Sequence, residues 1–269
     1  MSRAMIFGGL LALVTSAAGA ADILPPAPSL DSADLRGRFE LETGAYVRAD
    51  ASLGWARARA RNATSTFANP VSDFRLDSTR FSHAPVTGLG FGYQLNGFLR
   101  ADLTVEQRGS ARYTASGSYV DVPTCGGARC SDAYAGGIRS TLVMANAYGE
   151  VGSWFDVTPF VGLGLGFARN AFEPVSMPAG NGHSLGQSAG ATQTRFAFAM
   201  MAGLAYEVTP QVKVETSYRY LNMGAAQSGV ITCASAAGAC VGQTQRIGLA
   251  AHDLRIGLRY ALSSGSARD

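Results

Sequence analysis

Lysine is almost missing from this chain: Lys213 stands alone among 22 basic residues, and all the others are arginine. Charge is sparse as well, at 15% of 269 residues with a formal net charge of +3, which disfavours both a nucleic-acid-binding surface and charge-driven disorder. The arginines are scattered among acids rather than gathered into a stripe, a distribution suited to pairing. Long apolar runs are lacking too. The two longest, Met5 to Val14 and Phe196 to Tyr206, reach about half of the roughly 20 residues a membrane-spanning helix needs. Cysteine occurs only at Cys125, Cys130, Cys233 and Cys240, with no C-x-x-C spacing to suggest a zinc site. There is no nucleophile elbow, and the G-x-G-x-G runs lack the step of a dinucleotide-binding turn.

What is present begins with an address. Arg3, the short apolar run and the small residues Ala18-Gly19-Ala20 have the layout of a secretory signal over residues 1–20. A Pro-rich periplasmic linker is expected over 21–43, carrying Pro25, Pro26 and Pro28, then a folded domain over 44–262 and a polar tail over 263–269.

Within that domain the hydrophobic pattern has period two, which belongs to strands. Arg48, Asp50 and Ser52 alternate with Val47, Ala49, Ala51 and Leu53. The same alternation recurs over 98–108, 212–220 and 253–260, and with Gly or Ala replacing the charges over 84–94, 138–151, 157–168 and 194–208. This predicts eight strands. Leu95-Asn96-Gly97, Gly152 to Asp156 and Thr209-Pro210-Gln211 are short turns, whereas 57–82, 111–137, 169–193 and 222–247 read as long loops, all at the opposite end. Eight antiparallel strands in a meander can close into a barrel and lose their edges.

Alternation alone leaves the outward face open, since a soluble ligand-carrying barrel would turn the apolar face inward. Three features favour an outer-membrane barrel with the apolar face to lipid. The polar face is nearly neutral, as a closed lumen requires: Arg48, Arg100, Arg108, Arg195, Lys213, Arg219, Arg255 and Arg259 against Asp50, Asp102, Glu106, Glu150, Glu207, Glu215 and Asp253. Aromatic residues form two belts, Trp55, Phe167, Phe196, Tyr218 and Tyr220 toward the long loops and Tyr93, Phe160, Tyr206 and Tyr260 toward the short turns. Long loops on one side only complete the pattern. Gly88, Gly90, Gly92, Gly162, Gly164 and Gly166 then face inward and leave room for large side chains.

With the strands placed, Tyr46-Val47-Arg48-Ala49-Asp50, Gly90-Phe91-Gly92-Tyr93-Gln94-Leu95-Asn96, Thr158-Pro159-Phe160-Val161-Gly162 and His252-Asp253-Leu254-Arg255-Ile256-Gly257-Leu258-Arg259-Tyr260 resemble, in that order, alphaproteobacterial outer-membrane β-barrel proteins of the Omp25/Omp31 type. The resemblance implies an all-β, eight-stranded antiparallel up-and-down transmembrane β-barrel, OmpA-like and of the porin family, with three short periplasmic turns and four long extracellular loops in the Gram-negative outer membrane. It implies a structural or surface role without catalysis or cofactor. Such barrels often end at a terminal aromatic residue, whereas here Tyr260-Ala261-Leu262 is followed by the polar tail.

Each cysteine pair, Cys125 with Cys130 and Cys233 with Cys240, would close a small ring within one loop in an oxidising compartment, so two loop disulfides are expected. His83, His183 and His252 fall near the loop end, and no metal site is expected; His252 and Asp253, adjacent on a strand, point to opposite faces and cannot form a dyad. The sequon Asn62-Ala63-Thr64 is read as a chance match. The expected function is an integral outer-membrane barrel whose lumen is filled by the Arg/Asp/Glu network. A small pore, a loop-borne surface binding protein for haem or a host ligand, and a lipid-acting rim enzyme are the alternatives. Expected partners are outer-membrane lipid and lipopolysaccharide, periplasmic chaperones and the barrel-assembly machinery, with a monomer favoured and no nucleic acid.

Overall fold

The computed structural model describes residues 43–66, 72–120, 128–177, 186–233 and 241–262. The fold is carried by the unit Phe39–Asp269. The expected signal segment, the linker up to residue 42 and the polar tail lie outside the described residues, as do Cys125, Cys240 and His183.

The strands are β1 (Gly44–Thr66), β2 (Ser72–Phe81), β3 (His83–Gln94), β4 (Leu99–Val120), β5 (Arg129–Glu150), β6 (Val157–Phe172), β7 (Ser176–Met177), β8 (Gly186–Ser188), β9 (Ala191–Thr209), β10 (Val212–Gln227), β11 (Ile231–Cys233) and β12 (Val241–Ala261). Strands β1, β3, β4, β5, β6, β9, β10 and β12 pair antiparallel in that order, and β12 pairs back onto β1 from Tyr46↔Ala261 upward. The eight-stranded up-and-down barrel expected from the sequence is therefore closed, and closure satisfies every backbone group that an open sheet would leave at its edges. Strand β2 prolongs β3 alongside β4, while β7, β8 and β11 make a second, shorter path from β5 to β12.

The three tight turns are held by side chains or by backbone that suits a hairpin. Asn96 Oδ1 accepts from the amides of Phe98 and Leu99 at 3.0 and 2.8 Å. Thr209 Oγ1 accepts from Gln211 and Val212 at 3.3 and 3.1 Å. Between Trp154 and Val157, paired by two 2.9 Å hydrogen bonds, Phe155 and Asp156 both adopt positive φ (50° and 64°), as a two-residue primed turn demands.

The long loops expected at 57–82, 111–137, 169–193 and 222–247 are in large part strand, which corrects the sequence reading. Strands β4 and β5 are 22 residues each and β1 is 23, about twice the 9–11 residues that cross a bilayer. The physical reason lies in the phase of the alternation. In the lower half of β4, Leu103 and Val105 face out and Asp102, Thr104, Glu106 and Arg108 face in. A bulge between Arg108 and Ala111 then adds one residue, and above it Ala111, Tyr113 and Ala115 are buried while Arg112 and Thr114 are exposed. The outer surface is apolar below the bulge and polar above it, so the apolar residues move from the outer face to the inner one. Segments rich in Ser, Thr, Gly and Ala with few bulky apolar residues facing outward look like loops in sequence, although they are ribbons of the same barrel.

Candidate functional site: the lumen

The interior of the lower half is ionic. Arg48 and Asp50 on β1, Arg100, Asp102, Glu106 and Arg108 on β4, Glu150 on β5, Glu215 and Arg219 on β10, and Asp253, Arg255 and Arg259 on β12 are all buried and in mutual contact. They reach one space because each occupies the inward parity of its strand. Six guanidiniums meet six carboxylates, so the buried charge sums to zero and each ion is compensated locally, the condition for keeping ions out of water.

The pairing has an order along the axis. Toward the loops, Arg108 makes two 2.8 Å bonds to Asp253, and Arg219 donates to both oxygens of Glu106 at 2.7 Å and to Asp253 at 2.7 Å. Below them, Arg255 bridges Asp50 and Glu106 at 3.1 Å each, and Arg48 grips Asp50 at 2.7 Å and Asp102 at 2.9 Å. Near the turns, Arg100 and Arg259 hold Glu150 at 2.8 and 3.2 Å. Glu215 accepts no aligned hydrogen bond; its oxygens sit between Arg100, Arg48 and Arg259 at 3.1 to 3.3 Å, a purely ionic contact.

Aromatic rings complete the plug, and the sequence reading missed most of them. Arg100 lies 3.8 Å over the Tyr148 ring and 5.0 Å from that of Phe160, and Arg259 lies 5.3 Å from that of Tyr46. Tyr148 accepts from Arg48 at 3.0 Å, and Asn146 donates to Asp102 at 2.7 Å. Parity identifies all three: Tyr46 precedes Arg48 and Asp50 by twos, and Asn146 and Tyr148 precede Glu150 by twos. Phe160, expected in the lower aromatic belt, is 3% exposed and points inward, because Val161, Leu163 and Leu165 set the opposite parity outward.

Three of the expected network residues stand apart. Glu207 and Lys213 pair with each other at 3.2 Å beside the tight turn between β9 and β10, partly exposed. Arg195 lies higher on β9, where its Nε donates to the Ala225 carbonyl at 3.3 Å. The inward glycines do provide space: a Cβ at Gly92 would meet the Tyr46 hydroxyl at 2.5 Å, and one at Gly54, which the sequence reading had not singled out, would strike Arg108 and lie 2.7 Å from Asp253.

Above the ions the interior is mainly apolar, with Ser140, Asn170 and Gln245 buried among the apolar side chains. Tyr113, Tyr134, Ile138, Leu142, Phe172, Leu221, Met223 and Ile247 belong to one buried cluster, with Phe172 edge-on to Tyr113 at 5.6 Å. The remaining aromatic belt lies outside. Tyr93, Tyr206 and Tyr260 are exposed toward the turns, joined by Trp154 and Phe155; Phe167, Phe196 and Tyr218 are exposed toward the loops, with Trp55 and Tyr220 half-buried at the same end. His83 packs edge-on to Trp55 at 5.7 Å, and His252 Nδ1 bonds the Tyr218 hydroxyl, on the opposite face of β12 from Asp253. Among the described residues no group of three or more potential metal ligands converges and no cysteine is free.

A family model described as the outer membrane protein beta-barrel domain matches residues 9–262. The chain belongs to that family. As an outer membrane protein β-barrel it resides in the Gram-negative outer membrane with its short turns periplasmic, and the outward apolar band is its lipid contact. It is similar to an uncharacterized protein of Brucella suis, 29% identical over 287 residues and 96% of both chains. It is also similar to the outer membrane protein PagN of Salmonella typhimurium, 29% identical over 87 residues, 32% of this chain and 36% of that one. The solved outer membrane protein OprG of Pseudomonas aeruginosa superposes with a TM-score of 0.50 at 13% identity, covering 83% of this chain and 99% of that one, which supports the fold alone.

Proposed function

We propose that this barrel is a sealed structural and surface element of the outer membrane, of the Omp25/Omp31 type, with neither pore nor catalytic step. The observation that carries the reading is the double stopper in the lumen: twelve mutually neutralised buried ions below, and a continuous apolar cluster above. An ion crossing the lower half would have to displace guanidinium–carboxylate pairs, and one crossing the upper half would shed its water among Tyr113, Leu221 and Ile247. Eight strands enclose only enough room for side chains, which agrees with this. The extracellular ribbons then act as display, and the two local cysteine pairs, Cys125 with Cys130 and Cys233 with Cys240, are proposed as disulfides that hold their tips. Periplasmic chaperones and the assembly machinery are its transient partners, and the functional unit is a monomer.

Planar-bilayer recording of the refolded full-length protein tests this. Insertion confirmed by heat-modifiable migration, without conductance steps, is the expected result; reproducible single-channel openings would replace the structural reading with the small pore.

A further inference from the structure

Between β9 and β10 the barrel wall changes its mode of closure. The backbone ladder runs from Val212↔Thr209 to Asn222↔Phe198 and ends there; farther out the same stretch of chain pairs again as β8 and β11, from Ile231↔Ser188 onward. Across the interval no backbone ladder joins the two chains among the described residues, and side chains take its place. Gln193 donates from Nε2 to the Gln227 carbonyl at 3.1 Å and accepts at Oε1 from the Gln227 amide at 2.7 Å, the two bonds that a facing strand residue would otherwise make. Arg195 Nε donates to the Ala225 carbonyl at 3.3 Å, and from β6 Asn170 donates to the Met223 carbonyl at 2.9 Å.

The local sequence explains the interruption. Strand β10 carries a bulge against β12 between Asn222 and Ala225, where Asn222 Oδ1 accepts from the Gly224 amide at 2.9 Å and Gly224 adopts a φ of 72°. A Cβ at Gly224 would also lie 2.7 Å from the Arg195 Cβ, so this turn of the chain requires glycine. Strand β9 runs against β6 with no matching shift, and above Gly224 the peptide groups of β9 and β10 no longer meet. On either side of this seam the ladders hold, Ala225↔Gly248 to Gln227↔Arg246 on one flank and Ala191↔Phe172 to Thr194↔Arg169 on the other. Behind it lie Phe172, Leu221, Met223, Ala226 and Ile247 of the buried apolar cluster.

We infer that this seam is a latch: the extracellular wall parts along Gln193 and Arg195, between flanking ladders that stay intact, and opens the apolar cluster to the outside while the membrane strands remain closed. A ladder joins two strands without ordering any side chain, whereas here a glutamine and an arginine give up rotamer freedom to make the contact. Side chain–backbone bonds that water can replace contribute little net, so local opening needs least at this place in the wall. Gln193 is the catch, since it makes both bonds to a single residue. The apolar cluster supplies the closing force, because parting the seam wets Leu221 and Met223. The ionic half below takes no part in the motion, so the inference holds whether or not the lumen conducts.

Methionine oxidation reads the opening. Met223 is 2% exposed behind the seam, whereas Met144, 1% exposed, lies behind the ladder pairs Met144↔Thr104 and Met144↔Gly166. The full-length protein in liposomes is treated with hydrogen peroxide, which converts an accessible methionine to its sulfoxide, and peptide mass spectrometry follows both residues. Heat-modifiable migration verifies folding of each variant. Gln193→Ala is expected to speed oxidation of Met223 about tenfold and to leave Met144 unchanged, with a smaller rise at Met223 in the milder Arg195→Gln. Oxidation of Met223 at the parent rate in Gln193→Ala overturns the proposal. A parallel rise at Met223 and Met144 overturns it as well, since the barrel would then loosen as a whole rather than along the seam.

Discussion

Arg219 shows what one side chain contributes. It is 1% exposed and neutralises Glu106 and Asp253 at once, so Arg219→Met leaves buried Glu106 without its main donor and buried Asp253 with Arg108 alone. Breaking a buried pair on one side costs about 3–5 kcal/mol, and we expect a clear drop in the temperature at which the fast-migrating folded band disappears on gels. Asp132 behaves in the opposite sense. It is buried in the extracellular part of β5, where desolvation raises its carboxyl above the ordinary value against a smaller opposing hydrogen bond from Tyr119. The folded state then binds this proton more tightly than the unfolded chain, so the ionised form at neutral pH works against folding, and stability is regained as pH falls through the raised value. Asp132→Asn should melt higher than the parent at pH 7, with the advantage vanishing at acid pH; no difference at pH 7 would contradict the assignment.

At the scale of strands, β4 is two elements joined by a bulge: a membrane strand with ions inside, and an aqueous ribbon with Tyr113 inside. The two halves draw on different physics and should fail separately. Tyr113→Ala removes a ring that packs on Phe172 and Phe81 and donates to Gln245 at 3.1 Å, a loss of about 3–5 kcal/mol. Limited proteolysis in liposomes should then cut the extracellular parts of β4 and β5, while the membrane segments stay protected and the protein still migrates fast unboiled. Loss of the fast-migrating form would instead mean that the barrel is one cooperative unit. The lower strands were legible in the sequence because lipid demands bulky apolar residues at every second position. The upper ribbons were not, because small and hydroxylated residues suffice on a face that meets water.

For the whole molecule, the double stopper makes the conductance prediction robust. Tyr113→Ala opens only the apolar half, so that variant should also be silent in planar bilayers; openings in it would show that the ionic half leaks by itself. The amino-acid sequence alone determined the number of transmembrane strands, their inward and outward faces, and twelve of the fifteen expected lumen charges, since period two reports directly on a medium that is apolar outside and enclosed inside. Tertiary structure decided the rest. Which arginine meets which carboxylate depends on the register between strands far apart in sequence, as between Arg108 and Asp253 or Arg219 and Glu106. That Lys213 and Glu207 remain at the mouth follows from their height on the barrel, a coordinate that parity does not carry.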